Sequence, residues 1–216
     1  MIQYPKDYEY VQTKFTSNSR GTRNGRRVAQ NVAELAQFLK PPVLCVGCGD
    51  GFEIECMAKA LGIDPTDKEQ ILGVEVTNER VLTAKAHNLN VVEGAAENIL
   101  DIIGDKKYNV YCAHTLEHCF NKLVVLEHFK KAALDTIVMV VPVELRGRTR
   151  NRAHYSPIAN LGYIANLFGL DWQVDTKYRW RIELEGIIVA HRDAMNWPDR
   201  VKPESRHAEL LVKGKF

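Results

Sequence analysis

Residues 43–55 read VLCVGCGDGFEIE, an apolar run followed by glycines at 47, 49 and 51 and then by an amphipathic segment. A strand that turns sharply into a helix needs freedom in φ, and a ligand lying against the backbone needs a missing Cβ; glycine supplies both. The helix that follows adds unpaired N–H groups and a positive dipole end. A pyrophosphate-binding G-x-G-x-x-G turn would place its third glycine where this chain has Phe52. The G-x-G-x-G spacing therefore suits a ligand without a pyrophosphate. The next apolar run, 71–76, carries Glu75, placed to accept hydrogen bonds from both hydroxyls of a ribose.

Outward from this turn, strand-like and helix-like segments alternate. Apolar spacing predicts a helix over 28–39, stopped by Pro41-Pro42, then a short buried strand at Val43–Val46 and a helix at Phe52–Leu61. Strands follow at 71–76, 90–92, Tyr108–Ala113 and 136–141, with helices at 79–87, 97–102, 117–131 and 157–168. The stretches 172–178, 182–190 and 209–212 have strand character. Such alternation gives parallel strands joined by right-handed crossovers, hence an α/β, doubly wound, mostly parallel sheet with helices on both faces. Ligands of such sheets lie beyond the carboxyl ends of the strands, next to the first strand, where the glycines are. Residues 1–27, aromatic and basic and interrupted by Gly21 and Gly25, read as an N-terminal cap or arm, and 28–216 as one domain.

With 216 residues, 45% hydrophobic and 26% charged, the chain suffices for one good core. A net charge of +2 selects no class of partner. Nothing reads as a signal peptide, and no apolar run approaches the roughly 20 residues of a membrane span. Five cysteines without a disulfide framework suit a reducing, cytoplasmic setting. Cys45 and Cys48 form a lone C-x-x-C with Cys45 inside the strand, so both read as packing residues rather than a zinc knuckle.

Four stretches in order, VLCVGCGDGFE, ILGVEVTNERV, NVVEGAAENI and YNVYCAHTLEHC, resemble the successive motifs of Rossmann-like (class I) S-adenosylmethionine-dependent methyltransferases over about residues 40–170. The resemblance implies a seven-stranded sheet whose last strand is antiparallel, a role that the C-terminal ELLVKGKF suits. It implies S-adenosylmethionine as cofactor and S-adenosylhomocysteine as product. By that resemblance Gly47, Gly49 and Gly51 approach the methionine and ribose moieties, with Asp50 in the same loop. Glu75 holds the ribose hydroxyls and Val76 packs on adenine, with Ala96, Glu97 and Ala113 completing the site. Two positions depart from the family: Gly94-Ala95-Ala96 replaces a G-D-A pattern, leaving the adenine amino group to backbone or Glu97, and Asn109 opens the fourth strand in place of Asp.

On the acceptor side, AHTLEHC sets His114, Glu117 and His118 at i, i+3 and i+4, one face of a starting helix, and the loop after the fifth strand delivers His154 to the same edge. Three roles are open for these residues: hydrogen-bonding support of the site's loops, a general base (His114 or His154) for a hydroxyl acceptor, or a divalent metal site formed by His114, Glu117, His118 and His154. The last resembles the acid–x–x–Glu–His cluster of small-RNA 3′-end 2′-O-methyltransferases, with His114 where those enzymes have an acid. The run RGRTRNR places Arg146, Arg148, Arg150 and Arg152 in the loop over the acceptor pocket, where guanidinium forks bind phosphate or carboxylate. The expected acceptor is a small, anionic molecule. Metal-assisted RNA 2′-O-methylation and a non-catalytic, cofactor-binding module are the alternatives.

Overall fold

The computed structural model describes residues 20–144, 154–180 and 184–192. Seven strands form one sheet in the order β3-β2-β1-β4-β5-β7-β6. They are β1 (Val43–Val46), β2 (Ile71–Glu75), β3 (Val91–Glu93), β4 (Tyr108–Ala113), β5 (Ala133–Pro142), β6 (Gln173–Trp180) and β7 (Leu184–His191). Neighbours from β3 through β5 pair in parallel, and β7 lies antiparallel between β5 and β6. Every residue of β1 and β2 is buried, as expected for strands covered on both faces.

The helices are α1 (Arg23–Leu35), α2 (Phe52–Leu61), α3 (Asn78–Ala86), α4 (Ile99–Ile103), α5 (Lys122–Ala132) and α6 (Leu161–Asn166). One core layer sets α1, α2 and α3 against Val43, Cys45, Tyr111, Val138 and Val189. The other sets α4, α5 and α6 against Leu44, Val110, Ile137, Met139 and Ile188. Gly73, mid-strand in β2, is what lets α2 press onto the sheet: a Cβ there would stand 2.5 Å from Ile54 Cδ1 and 2.7 Å from Cys48 Sγ. Cys45 and Cys48 are buried packing residues, as read from the sequence.

Four expectations change. The antiparallel strand is Leu184–His191, whereas ELLVKGKF lies outside the described residues. The first helix starts at Arg23, capped by the Thr22 hydroxyl accepting from Gly25 N at 3.1 Å, so residues 23–27 of the expected arm are its opening turns; residues 1–19 lie outside the described part. The expected helix 117–131 divides into a 3-10 turn, Leu116–His118, and α5, because Asn121 caps a fresh start by accepting from Val124 N. The expected helix 157–168 contracts to Leu161–Asn166, its start fixed by the Asn160 side chain.

Asn109 owes its presence to the opposite end of the sheet from the glycines. Its Nδ2 donates to Lys40 O at 2.7 Å, and its Oδ1 accepts from Thr136 N at 2.9 Å. That amide ties the entrance of β1 to β4 and β5, a task needing a donor and an acceptor together, which Asp does not supply. Among the described residues no helix is long and apolar enough to cross a membrane.

Candidate functional site

The glycine turn divides its three glycines between two tasks. All have positive φ, at 74°, 60° and 84° for Gly47, Gly49 and Gly51. A Cβ on Gly47 would stand 1.9 Å from Thr115 Oγ1, and one on Gly51 2.4 Å from Leu89 Cδ1. These two are bare because the β4 loop and the α3 region press on them. A Cβ on Gly49 would meet nothing within 4 Å. Of the three expected ligand-facing glycines, Gly49 alone has open space where a Cβ would stand.

Beside it, Glu75 Oε2 accepts from Gly49 N at 3.0 Å, and Glu75 Oε1 from Thr77 N at 2.9 Å. The carboxylate is thus pinned against the turn, and each oxygen keeps a second lone pair for a hydroxyl donor. Val76 is half-buried next to it. Asp50, just before α2, accepts from Phe52 N at 3.2 Å and pairs with Arg20 at 3.4 Å. Arg20 also forks onto Glu55 and lies over the Phe52 ring, clamping the arm's end to the turn. Glu97, expected near adenine, is buried and accepts from Phe120 N at 2.9 Å, joining the segment after β3 to that after β4. Ala96 is buried alongside, and Ala113 ends β4. A bare backbone at Gly49 with a fixed carboxylate at its side fits the cofactor that the resemblance implies.

The acceptor side differs from the helical spacing. His114 adopts φ 51°, so the chain leaves β4 in a left-handed turn and the i, i+3, i+4 face never forms. Glu117, His118 and His154 come together, with one ligand atom from each within 4.8 Å of the others. His114 turns toward β7: its Nε2 is 3.2 Å from Glu185 Oε1 and its Nδ1 3.7 Å from Glu117 Oε1. Of the four expected metal ligands, three meet and His114 stands behind them.

Charges alternate through this region. Glu144 Oε1 lies 2.6 Å from His154 Nδ1, the rings of His154 and His118 meet edge-on at 4.9 Å, and His118 Nε2 is 3.9 Å from Glu117. Beyond His114, Glu185 pairs with Arg179, which forks onward to Asn31 and Glu34 of α1. Arg27 approaches Glu185 to 4.0 Å. Burial opposes a charge on His114, but the carboxylates of Glu117 and Glu185 outweigh it and hold the imidazole up, to about 9. Burial would raise Glu117, yet His114 and His118 keep its carboxyl below the ordinary range. Glu185 resists burial likewise, held down at about 2 by His114 and Arg179. Glu53, in the first turn of α2, is pushed up to about 8 by burial, against the pull of His114 and with Glu75 adding to the rise.

Held up by two carboxylates, His114 favours its cationic form, which opposes the proton-accepting role expected of it; His154 is the other expected base. Glu117 is 1% exposed; its Oε1 is the oxygen nearest His114 and His118, at 3.7 and 3.9 Å, and its Oε2 has no hydrogen-bond partner among the described residues. Two imidazoles and this carboxylate fit a divalent ion of the zinc or manganese kind. The sequence reading missed Glu144, Glu185 and Arg179, which no local motif marks. Arg146, Arg148, Arg150 and Arg152 lie outside the described residues.

Neither a protein-family model nor a curated protein sequence matches the chain. Solved structures match in fold. An S-adenosylmethionine-dependent methyltransferase of Archaeoglobus fulgidus superposes with a TM-score of 0.61 at 18% identity, covering 85% of this chain and 99% of its own. Magnesium protoporphyrin IX methyltransferase of Synechocystis, solved with bound S-adenosylhomocysteine, gives 0.59 at 16% identity over 89% of this chain and 90% of its own. A Haloferax volcanii protein in complex with the Trm112 methyltransferase activator gives 0.66 at 11% identity over 88% of this chain and 99% of its own. Strand order, the single antiparallel strand and these superpositions agree: the chain has the Rossmann-like fold of class I S-adenosylmethionine-dependent methyltransferases.

Proposed function

We propose that this chain is an S-adenosylmethionine-dependent methyltransferase. The observation that carries the reading is Gly49, whose α-carbon faces open space while its amide holds the Glu75 carboxylate. S-adenosylmethionine supplies an electrophilic methyl group on a sulfonium. The chain's part is alignment, since an in-line displacement demands above all that acceptor and methyl carbon be held in register. Gly49 and Glu75 would seat the nucleoside, and the C-terminal edge of β4, β5 and β7 would seat the acceptor.

For the acceptor, a small anionic molecule is supported by the four arginines between 146 and 152. Among the described arginines, Arg20, Arg27 and Arg179 each face a carboxylate and give that reading no further help. A second reading, metal-assisted O-methylation of a hydroxyl such as that of an RNA-end ribose, is favoured by the meeting of Glu117, His118 and His154. There a divalent ion would lower the pKa of a bound hydroxyl, while the three side chains hold it beside the cofactor. Without metal, His154 would take the hydroxyl proton.

The test is transfer of labelled methyl from S-adenosylmethionine to two panels, phosphorylated small molecules and short RNAs, with and without chelator. Labelled small molecules support the first reading. Chelator-sensitive labelling of RNA supports the second. Cofactor binding with no labelling of either panel leaves a non-catalytic binding module.

A further inference from the structure

Glu144, two residues past β5, and His154, ten residues further on, bracket one stretch of chain. The backbone fixes both ends there: Glu144 N donates to Ile158 O at 2.8 Å, and Ser156 N donates to Glu117 O at 3.0 Å. Between the two ends Glu144 Oε1 and His154 Nδ1 meet at 2.6 Å, with only 11% and 9% of the side chains exposed. Glu144 Oε2 has no hydrogen-bond partner among the described residues. The contact thus concentrates the carboxylate on one ring nitrogen.

A neutral imidazole carries its proton on one nitrogen only, and the partner of that nitrogen decides which. We propose that Glu144 is the positioning residue of the cluster: by accepting the Nδ1–H of His154 it leaves Nε2 unprotonated, as the ring's basic or ligating nitrogen beside Glu117 and His118. A carboxylate behind a histidine has this effect whether the nitrogen in front takes a proton or binds a metal. Among the described residues, the charged groups near the ring include Glu144, His118 and Glu117, with His114 and Glu185 behind Glu117. The role in catalysis rests on the methyltransferase reading; the tautomer itself does not.

Two measurements separate the claims. Nitrogen-15 NMR of the metal-free protein at about pH 8, above the ordinary imidazole range, reads which His154 nitrogen is protonated. The expected state is Nδ1–H in the wild type and in Glu144→Asp, with Glu144→Gln moving protonation toward Nε2. A wild-type ring protonated on Nε2, or a Glu144→Gln ring unchanged from wild type, overturns the inference. Calorimetry with Zn²⁺ alone then reads the consequence: Glu144→Gln is expected to weaken affinity by about 10–100-fold, with Glu144→Asp restoring most of it. Zn²⁺ affinity equal in wild type and Glu144→Gln contradicts the positioning role. A wild type that binds no metal counts against the metal reading, and the NMR result then decides the inference by itself.

Discussion

The Nε2 of His114 lies 3.2 Å from Oε1 of Glu185, joining the end of β4 to the start of β7 across a carboxylate with no exposed surface. With Glu117 on its other side, His114 is a cation between two buried anions. Removing one member of such a group leaves the others uncompensated, which costs about 3–5 kcal/mol. Glu185→Gln is accordingly expected to lower the unfolding free energy read from urea titration by up to that order, leaving His114 with Glu117 and Arg179 with Glu34. A variant as stable as the wild type would show that the ion pair does not hold β7 in place.

The pH dependence of stability has a defined direction. His114 is raised from 6.5 to about 9, so its contribution is whole below its unfolded value and is lost as pH rises through about 9. Glu53 is an acid raised from 4.5 to about 8, and its neutral form likewise favours the fold at low pH, an advantage lost as pH rises toward 8. Glu185, lowered from 4.5 to about 2, acts in the opposite sense: its contribution is present above 4.5 and is lost as pH falls through about 2. Urea midpoints are therefore expected to decline from mildly acidic pH toward 9. Glu53→Gln removes one ionisation and is expected to flatten the decline, stabilising the protein near pH 8 by on the order of 1–3 kcal/mol. A Glu53→Gln curve parallel to the wild type would mean that Glu53 is ionised in the fold.

The division of labour among the glycines is testable by a pair of substitutions. Gly47→Ala places a methyl into Thr115 and is expected to cost about 2–5 kcal/mol through the left-handed backbone and overpacking together. Gly49→Ala meets open space, so only the backbone term of about 1–2 kcal/mol applies. Its methyl instead occupies the ligand's side of the turn, and cofactor affinity is expected to fall by about tenfold or more while the protein stays folded. Circular-dichroism melts beside calorimetry distinguish the two. Equal losses of stability in both variants would contradict the assignment.

A cationic His114 also bears on the reaction. His114→Asn is expected to alter stability and metal affinity through Glu117, while the pH–rate profile of the residual activity keeps its acid limb, the fall in rate as the general base is protonated. Disappearance of that limb in His114→Asn would make His114 the proton acceptor after all.

Much of the fold was legible because its signals are local. Val43–Val46, Phe52–Leu61 and Tyr108–Ala113 carry their own periodicity, and the G-x-G-x-G turn and Glu75 lie close together in the sequence, between Gly47 and Glu75. The acceptor side was only half legible. The i, i+3, i+4 spacing of His114, Glu117 and His118 promised a common helical face, but the helix begins at Lys122 and His114 sits in a left-handed turn. Its true neighbour, Glu185, comes from β7, a strand whose place between β5 and β6 is set by sheet packing that no short stretch encodes. Glu144 and Arg179 were missed for the same reason: each works through a partner distant in sequence, at separations of 10 and up to 148 residues.

The central claim is that a nucleoside sulfonium lies on the bare backbone at Gly49 with its ribose held by Glu75. Calorimetric titration of S-adenosylhomocysteine into the wild type and Glu75→Ala tests it most directly. The account predicts saturable one-to-one binding by the wild type and its loss in a folded Glu75→Ala. No binding by the wild type, or binding unchanged by the substitution, would contradict it.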